Sequence, residues 1–266
     1  MNILFWNIQG KRLARDLLAQ AVSLHQIDIV AIAEAPEQGP RWLIPALAAI
    51  GPFRSTQLES RLQVFSLSPL SLRAMGESPH YSICSVRAAH GSTLLLALAH
   101  LPSKLHRDAT DQETITRGLS EHLREMEGKV GHSRTVLIGD LNANPFEPSL
   151  AKVDGLHAVM SQAVARRGSR TFYGKKYPFF YNPMWSRLGD LSPGPPGTWF
   201  DSESRAISYF WHSFDQCLLR PELLEHFPPT GFEVLDRIGD VQLANDDGIR
   251  GGDYPDHLPL VLKLNW

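Results

Sequence analysis

Short apolar runs that end in a polar residue recur along the chain. The first, NILFWNI, is typical of a strand, and residues 11–25 then carry leucine, alanine and valine at helical spacing. The continuous apolar run at 28–33 predicts a buried strand that ends at Glu34. The chain therefore opens with a strand, an amphipathic helix and a second strand.

The same two element types alternate through the rest of the chain. The pattern predicts helices at 42–50 and 108–127. It predicts further strands at 62–67, 81–86, 93–99, 135–138, 213–219 and 258–264. The Pro- and Gly-rich segment 189–197 is a loop rather than a domain linker. Residues 1–266 are accordingly predicted to form a single domain.

The composition is that of a globular protein, with 43% hydrophobic and 20% charged residues. Lys and Arg number 26 against 28 Asp and Glu, so any nucleic-acid binding must depend on a local basic patch. Cys84 and Cys217 lie in apolar runs, which favours buried thiols in a reducing compartment. The longest apolar stretch, 94–99, is too short for a membrane helix, and no signal-peptide pattern opens the chain. We expect a cytoplasmic protein without stable membrane association.

Polar side chains follow several of the predicted strands directly. Groups held at the end of a packed strand are fixed by the core and still open to a cleft. The residues in such positions are Asn7, Glu34, His100, Asp140 and Asn142, with Asp215 at the start of a late strand and Asp256 and His257 before the last one. In isolation each fits a structural role such as a turn or a satisfied polar group, and it is their common placement that predicts a site.

Together these residues supply four carboxylates, two amides and two imidazoles. Mg²⁺ and Mn²⁺ prefer oxygen ligands and keep several waters, so one or two carboxylates hold them beside a substrate phosphate. Zinc is disfavoured because the chain has neither a CxxC pair nor an HExxH helix. The set predicts metal-dependent hydrolysis of a phosphate ester, with Glu34 as the first metal ligand.

The motifs FWNIQG, DIVAIAE, LAHLPS, IGDLNANP, FDQCLL and PDHLPL occur in this order along nearly the whole chain. In order and spacing the sequence resembles the endonuclease/exonuclease/phosphatase family, which includes pancreatic deoxyribonuclease and the exonuclease III type repair enzymes. The resemblance implies a four-layered α/β sandwich, in which two facing, mainly antiparallel β-sheets are flanked by helices. It also implies a site at one end of the sheets.

The resemblance assigns a role to each residue of the motifs. Glu34, Asn7 and Asp256 would hold the metal, while Asp140 would activate the attacking water and Asn142 would hold that water or the phosphate. Asp215 and His257 would form a hydrogen-bonded pair that stabilises charge on the phosphorus. His100 would protonate the leaving oxygen or hold the scissile phosphate.

Two departures from the family pattern bear on the substrate. His100 stands where abasic-site repair enzymes carry tyrosine, which argues against that specialisation. Gln9 stands where many members have an acidic residue, which weakens the case for two metals.

A basic and aromatic segment is the predicted substrate-binding region. Cations that contact phosphates and rings that stack on bases suit a nucleic-acid chain, although the rings equally suit the core of a sheet. The cations assigned to substrate are Arg166, Arg167, Arg170 and Lys175, together with Lys104 after His100.

We therefore expect a metal-dependent phosphodiesterase that acts on DNA or RNA. Non-polymeric substrates, such as an inositol phosphate, a phospholipid headgroup or a nucleotide, are the alternative. The sequence shows no exposed apolar hairpin or basic amphipathic helix for docking to lipid, which counts against a headgroup. A binding protein without turnover would leave gaps in the catalytic set, and Gln9 is the one departure there.

Overall fold

Two large β-sheets form the framework of the molecule. A computed structural model of the chain describes residues 1–36, 39–103, 109–203 and 208–266. The α-helices are α1 Ala14–Leu24, α2 Ile44–Ala48, α3 Ala109–Val130, α4 Pro148–Ala151 and α5 Gln162–Ala165. Short 3₁₀ helices lie at Gly39–Trp42, Pro183–Arg187 and Pro221–Leu223.

The strands divide into the two main sheets and four two-stranded ribbons. They are β1 Asn2–Asn7, β2 Ile29–Ala33, β3 Phe53–Thr56, β4 Gln63–Leu67, β5 Ser71–Ser78, β6 Tyr81–Arg87, β7 Thr93–His100, β8 Thr135–Asp140, β9 Ala158–Val159, β10 Ser169–Phe172, β11 Lys175–Pro178, β12 Phe180–Tyr181, β13 Trp199–Phe200, β14 Trp211–His212, β15 Asp215–Leu219, β16 Phe232–Val234, β17 Arg237–Ile238, β18 Val241–Gln242, β19 Ala244–Asn245, β20 Gly248–Ile249 and β21 Leu260–Lys263.

Both main sheets are mixed but mainly antiparallel. The six-stranded sheet has the order β16-β21-β1-β2-β4-β3, and β1 and β2 are its parallel neighbours. The seven-stranded sheet has the order β5-β6-β7-β8-β15-β12-β9, with parallel pairs β7–β8 and β12–β9. In each sheet a parallel pair near the centre directs two carboxyl ends to one edge, and the predicted site residues follow those ends.

The two faces of β7 explain its continuous apolar run. Leu94, Leu96 and Leu98 belong to the core between the sheets, whereas Leu95 and Ala97 belong to a second core beneath α3. Because successive side chains of a strand point to opposite faces, a strand covered on both sides reads as one hydrophobic stretch. Helices α1 and α3 cover the outer faces, which confirms the predicted four-layered sandwich.

A buried ion pair joins the far ends of α3 and β15. The Arg220 guanidinium is 1% exposed and lies 2.8 Å from Glu127 Oε1 through Nε, with a second hydrogen bond from Nη2 to Oε2 at 3.3 Å. Thr135 Oγ1 also donates to Glu127 Oε1 at 2.7 Å. The pair therefore fixes α3 against the end of the seven-stranded sheet that lies away from the predicted site.

The cysteine prediction is confirmed, since Cys84 and Cys217 are both free and buried. Burial raises the pKa of the Cys84 thiol to about 12 and also raises that of Cys217, so neither thiol is reactive. Within the described ranges, no helix combines the length and the apolar character needed to cross a bilayer.

The ribbon of β10 and β11 is the main feature that the hydrophobic pattern missed. It is a hairpin with Tyr173 and Gly174 at its tip, both at positive φ, and Tyr173 is 94% exposed. Rings further along the same segment, at Phe179, Phe180 and Tyr181, are buried. The hairpin is basic rather than apolar, and the hydrophobic pattern did not predict it because its two strands lack regular alternation of apolar and polar residues.

We expect Glu127→Ala to lower the free energy of unfolding by about 3–5 kcal/mol, because it leaves a buried guanidinium unpaired. Urea denaturation followed by circular dichroism measures this change. Glu125→Ala is the matched control, since it removes an exposed carboxylate that pairs with Lys129 one turn along α3, and it should leave the unfolding midpoint in place. Equal effects of the two variants would contradict the role given to the buried pair.

Candidate active site

The predicted site residues come together where the two sheets meet. Asn7 ends β1 and Glu34 follows β2, its parallel neighbour. His100 and Asp140 are paired at the ends of parallel β7 and β8, and Asp215 pairs with Asp140 from antiparallel β15. One edge of each sheet therefore contributes carboxylates and amides to a common centre.

Asn7 connects the two sheets at this centre. Its Nδ2 donates to Glu34 Oε1 and to Asp140 Oδ2, each at 3.0 Å, and its Oδ1 accepts from the backbone N–H of Gln9 at 3.2 Å. Asn7 and Asp140 are 1% exposed. The amide thus holds a carboxylate from each sheet at a fixed separation.

The backbone is unusual at both Glu34 and Asn142. Their φ angles are 51° and 49°, in the left-handed region that side chains other than glycine and asparagine seldom adopt. The Glu34 carbonyl accepts from Gly10 N at 2.7 Å, and Asn142 N donates to Asp140 Oδ1 at 2.9 Å. These bonds hold each residue in a conformation that aims its side chain out of the strand direction, and such strain is concentrated at functional sites.

Gly139 keeps strands β7 and β8 close together. A Cβ at this position would lie 2.0 Å from the carbonyl oxygen of Ala99 on β7. Any side chain there would push β7 and β8 apart and with them His100 and Asp140. Close packing of β8 against β7 therefore explains why the GDLNANP motif begins with glycine.

Asp215 and His257 form a buried pair beside Asp140. His257 Nδ1 donates to Asp215 Oδ2 at 2.7 Å, and its Nε2 lies 4.0 Å from Asp140 Oδ2. Burial favours the neutral imidazole, but the charges of Asp215 and Asp140 and the hydrogen bond outweigh it and raise the pKa of His257 to about 10. We assign the pair as imidazolium and carboxylate, so His257 carries a positive charge at neutral pH.

His100 is the second imidazole near the same oxygen. Its Nε2 lies 3.4 Å from Glu34 Oε1 and 3.8 Å from Asp140 Oδ2, and its side chain is 26% exposed. Asp140 therefore has an amide and two imidazoles around one carboxylate oxygen, and His100 is the more accessible of the two rings.

The oxygen donors at the centre fit a hard divalent cation. Asp256 Oδ2 accepts from Gln9 Nε2 at 3.0 Å and from Trp199 Nε1 at 3.4 Å, whereas its buried Oδ1 has no hydrogen-bond partner among the described residues. An unpartnered buried carboxylate oxygen and the Glu34 carboxylate are ligands that Mg²⁺ or Mn²⁺ takes. Asn7, by contrast, turns its amide nitrogen rather than its oxygen toward the carboxylates.

Asp140, Asp215 and His257 also lie close enough to hold a metal, with one ligand atom from each within 4.8 Å of the others. However, the hydrogen bond between His257 Nδ1 and Asp215 Oδ2 already uses two of these groups. Asp215 and His257 therefore form a hydrogen-bonded pair, and Asp215 Oδ1 has no hydrogen-bond partner among the described residues. Glu34 and Asp256 are the residues that we assign to a metal.

The centre opens into a cleft of about 920 Å³. Its walls carry five carboxylates, four imidazoles and, within the part of the chain that the structure describes, one guanidinium: Glu34, Asp140, Glu147, Asp201, Asp256, His80, His100, His212, His257 and Arg61. A cleft of this composition attracts a cation and gives an anionic substrate few fixed positive contacts. A bound metal would offset part of that negative charge.

Aromatic rings form one wall of the cleft. Trp199 stacks on Phe214 with centroids 5.3 Å apart, and His212 lies 4.8 Å from Phe214. Tyr209, 58% exposed, meets His212 edge-on at 5.9 Å. Since Trp199 also forms a β-bridge with His257, the wall stands next to the buried pair and offers a flat apolar surface to a substrate.

Sequence reasoning missed several residues of the cleft. Arg61 and His80 come from connections between strands, and no motif surrounds them. Asn144, in contrast, lies in the GDLNANP motif, where its Oδ1 accepts from Ser213 N at 2.9 Å and its Nδ2 contacts His212 Nδ1 at 3.1 Å. The motif could have indicated it.

The cations predicted to bind substrate lie elsewhere. Arg166, Arg167, Arg170 and Lys175 belong to α5's C-terminal cap and the β10–β11 hairpin, beyond the end of the seven-stranded sheet that is opposite the cleft. None of the four lines the cleft. Lys104 lies outside the described residues.

The family is shown by comparison with known proteins. Residues 4–238 match the model of the Endonuclease/Exonuclease/phosphatase family, and the chain belongs to this family. No curated protein matches the chain in sequence.

Solved structures share the fold at low sequence identity. A family protein from Bacteroides thetaiotaomicron is 13% identical with a TM-score of 0.64, covering 99% of this chain and 97% of its own. TDP2 from D. rerio, complexed with a single-strand DNA product, is 17% identical with a TM-score of 0.61, and the match covers 100% of this chain and 99% of the TDP2 chain. ANGEL2, a 2',3'-cyclic phosphatase, is 13% identical with a TM-score of 0.63, and the match covers 99% of this chain and 94% of the ANGEL2 chain.

We expect Asp215→Asn to lower the pKa of His257 to or below its ordinary value, because burial then acts with less opposing charge. Histidine ¹⁵N shifts followed against pH in EDTA measure this directly. Asp154→Asn, which removes a surface carboxylate paired with Arg117, is the control and should leave the His257 titration unchanged. A wild-type His257 that titrates near neutral pH would refute the charged pair.

The same shift predicts the direction of a pH effect on stability. The folded-state pKa of His257 lies above the ordinary 6.5. Its proton therefore stabilises the fold fully below about pH 6.5, and this contribution is lost as the pH rises through about 10.

Proposed function

We propose that the protein is a divalent-metal-dependent phosphodiesterase that hydrolyses phosphodiester bonds in nucleic acid. The observation that carries the proposal is the surroundings of Asp140 Oδ2, which has Asn7 Nδ2 at 3.0 Å and the Nε2 atoms of His100 and His257 at 3.8 and 4.0 Å. A carboxylate between two imidazoles at the floor of a cleft is equipped to take a proton from water and to pass charge to neighbouring groups.

Each residue has a distinct part in this mechanism. Asp140 accepts a proton from the attacking water, and Asn142, bonded through its backbone to Asp140 Oδ1, holds the water or the phosphate. The His257 imidazolium, kept in orientation by Asp215, stabilises negative charge that develops on the phosphoryl oxygens. His100, the more exposed imidazole, protonates the leaving oxygen or binds the phosphate.

Glu34 and Asp256 would hold the metal, with Asn7 beside them. Mg²⁺ or Mn²⁺ in that position would act as a Lewis acid on the phosphate and reduce the repulsion between the substrate and the cleft carboxylates. The neutral amide of Gln9 bonds to Asp256 in place of a further carboxylate, which favours a single metal.

The aromatic wall supports a substrate that carries a planar base. Trp199, His212, Phe214 and Tyr209 offer ring surfaces beside His257, and stacking on a base contributes about 1–3 kcal/mol per base in single-strand binding. An inositol phosphate or a phospholipid headgroup has no planar ring to use this surface.

A non-polymeric nucleotide or cyclic phosphate is the second candidate. The volume of about 920 Å³ falls within the usual size of a small-ligand site, and the cleft has Arg61 as its one guanidinium among the described lining residues. Comparing the rates at which the protein hydrolyses nucleic-acid polymers and mononucleotides distinguishes the two candidates. The single domain and the cytoplasmic location stay predictions from the sequence.

Metal-dependent cleavage of end-labelled single- and double-stranded DNA and RNA tests the proposal. We expect Asp140→Asn to reduce kcat by at least about 100-fold, because it removes the proton acceptor while keeping the side-chain volume. Asp16→Asn, on the exposed face of α1, is the control and should be fully active. Polymer cleavage by the wild type that persists in EDTA or in Asp140→Asn would refute the mechanism.

Glu34→Gln should raise the metal concentration needed for the half-maximal rate by about tenfold or more, since it removes a charged ligand. Titration of Mg²⁺ and Mn²⁺ against initial rate gives this value. Glu147→Gln serves as a comparison, because Glu147 lines the same cleft but accepts from Asn144 rather than facing Asp256. An unchanged titration for Glu34→Gln would place the metal elsewhere.

A further inference from the structure

A strongly basic surface lies outside the cleft, on the β10–β11 hairpin and the cap of α5 before it. Five cations occur within residues 166–178, and the sequence has no Asp or Glu between Asp154 and Asp190. A chain with 28 acidic residues in 266 and a net charge of −2 thus has a segment of uniformly positive charge. Charge of one sign in one place favours an anionic partner.

One face of the hairpin alternates cations with aromatic rings. Arg170 pairs across the hairpin with Tyr177, and Phe172 pairs with Lys175, so the four side chains share a face. The Arg170 guanidinium lies 5.6 Å from the centroid of Phe172, and Lys175 Nζ lies 5.3 Å from that of Tyr177. This arrangement places phosphate-binding and base-stacking groups side by side.

Helix α3 extends the same row. Arg124, which also lies 4.0 Å from Glu121, places its guanidinium 5.9 Å from the centroid of Tyr177. The row therefore runs along the surface from the hairpin to α3. A polymer can follow such a row, whereas insertion into a lipid surface would use mainly the tip, where Tyr173 carries a hydroxyl and is followed by Gly174.

The row is far from the catalytic centre. Gln112, near the start of α3, donates to the Asn142 carbonyl at 2.8 Å. Arg124 follows twelve residues later, which at a rise of 1.5 Å per residue is about 18 Å further along the helix. A strand that reached both places would therefore have to cross at least about 18 Å of surface, which takes several nucleotides.

We propose that the α5 cap and the β10–β11 hairpin form an exosite for single-stranded nucleic acid. The exosite binds a segment of the strand several nucleotides away from the bond in the cleft. Its cations contact phosphates, and Phe172, Tyr173 and Tyr177 stack on bases. The inference rests on the proposed nucleic-acid substrate, and it explains how a cleft with many carboxylates still acts on a polyanion.

The test measures binding without cleavage. Fluorescence anisotropy with a labelled oligothymidine of about 12 nucleotides, in EDTA, compares the wild type with a hairpin variant, Arg124→Gln/Arg170→Gln/Lys175→Gln, which removes the three cations of the row. The slope of log K against log salt concentration is negative, and each lost phosphate contact lowers its magnitude by about 0.7. We expect the magnitude of the slope to fall by about 2 and the affinity at low salt to fall at least about tenfold.

Two further variants make the result specific. Arg12→Gln/Arg54→Gln/Arg237→Gln removes the same charge from exposed positions near the six-stranded sheet and should leave the slope unchanged. Phe172→Ser/Tyr173→Ser should weaken binding with no change in slope, because stacking releases no counterions. Thermal melts verify that each variant is folded.

Equal slopes in the hairpin variant, the control variant and the wild type would overturn the exosite. So would co-sedimentation with phosphatidylserine vesicles that depends on the hairpin while oligothymidine binding does not. The cleavage assay remains separate. A wild type that binds oligothymidine through the hairpin yet cleaves no polymer would refute the proposed function and leave the exosite standing.

Discussion

The side chain of Asn7 is the contact on which the rest of the site depends. Glu34 and Asp140 belong to different sheets, and like charges so near each other favour separation of the two edges. The Asn7 amide donates to both at 3.0 Å, and its oxygen is held by the backbone of Gln9. A single buried amide therefore sets the distance between the carboxylate that we assign to the metal and the one that we assign to water.

Each of the two sheets contributes one side of the site. Their packed strands bring the catalytic groups to one edge, and the ion pair of Arg220 and Glu127 anchors the other edge. Thr198 connects buried groups beside the centre, since its side chain accepts from Asp215 N and its backbone carbonyl accepts from Leu258 N. The cleft consequently has a rigid floor, while its walls come from connections between strands.

Much of the framework could be predicted from the amino-acid pattern. The apolar runs at β1, β2, β7 and β8 are buried on both faces, so hydrophobicity alone located them and the polar residues that end them. Strand direction places Asn7 beside Glu34 and His100 beside Asp140, because parallel neighbours end at the same edge. The meeting of these two pairs depends on how the two sheets pack. The four-layered sandwich followed from the resemblance to the family.

Other features depend on three-dimensional placement that no local pattern encodes. Arg61 and His80 reach the cleft from loops that are remote in sequence, and the aromatic wall joins residues from two segments, one at Trp199 and one at 209–214. The composition around Arg166 and Arg170 predicts contact with nucleic acid, but the hairpin lies at the end of the seven-stranded sheet away from the cleft, just before β12. The composition of a segment suggests the type of ligand that it could bind, but the position of its strands in the fold decides whether it lies at the cleft.

The left-handed backbone at Glu34 has a consequence for the stability of the fold. A glutamate in that conformation is less stable than glycine or asparagine by about 1–2 kcal/mol, and the bond from Gly10 to its carbonyl would survive either replacement. On our assignment of Glu34 to the metal, the carboxylate is kept at a position where a residue better suited to the backbone would make the fold more stable, so chemistry at this position costs stability.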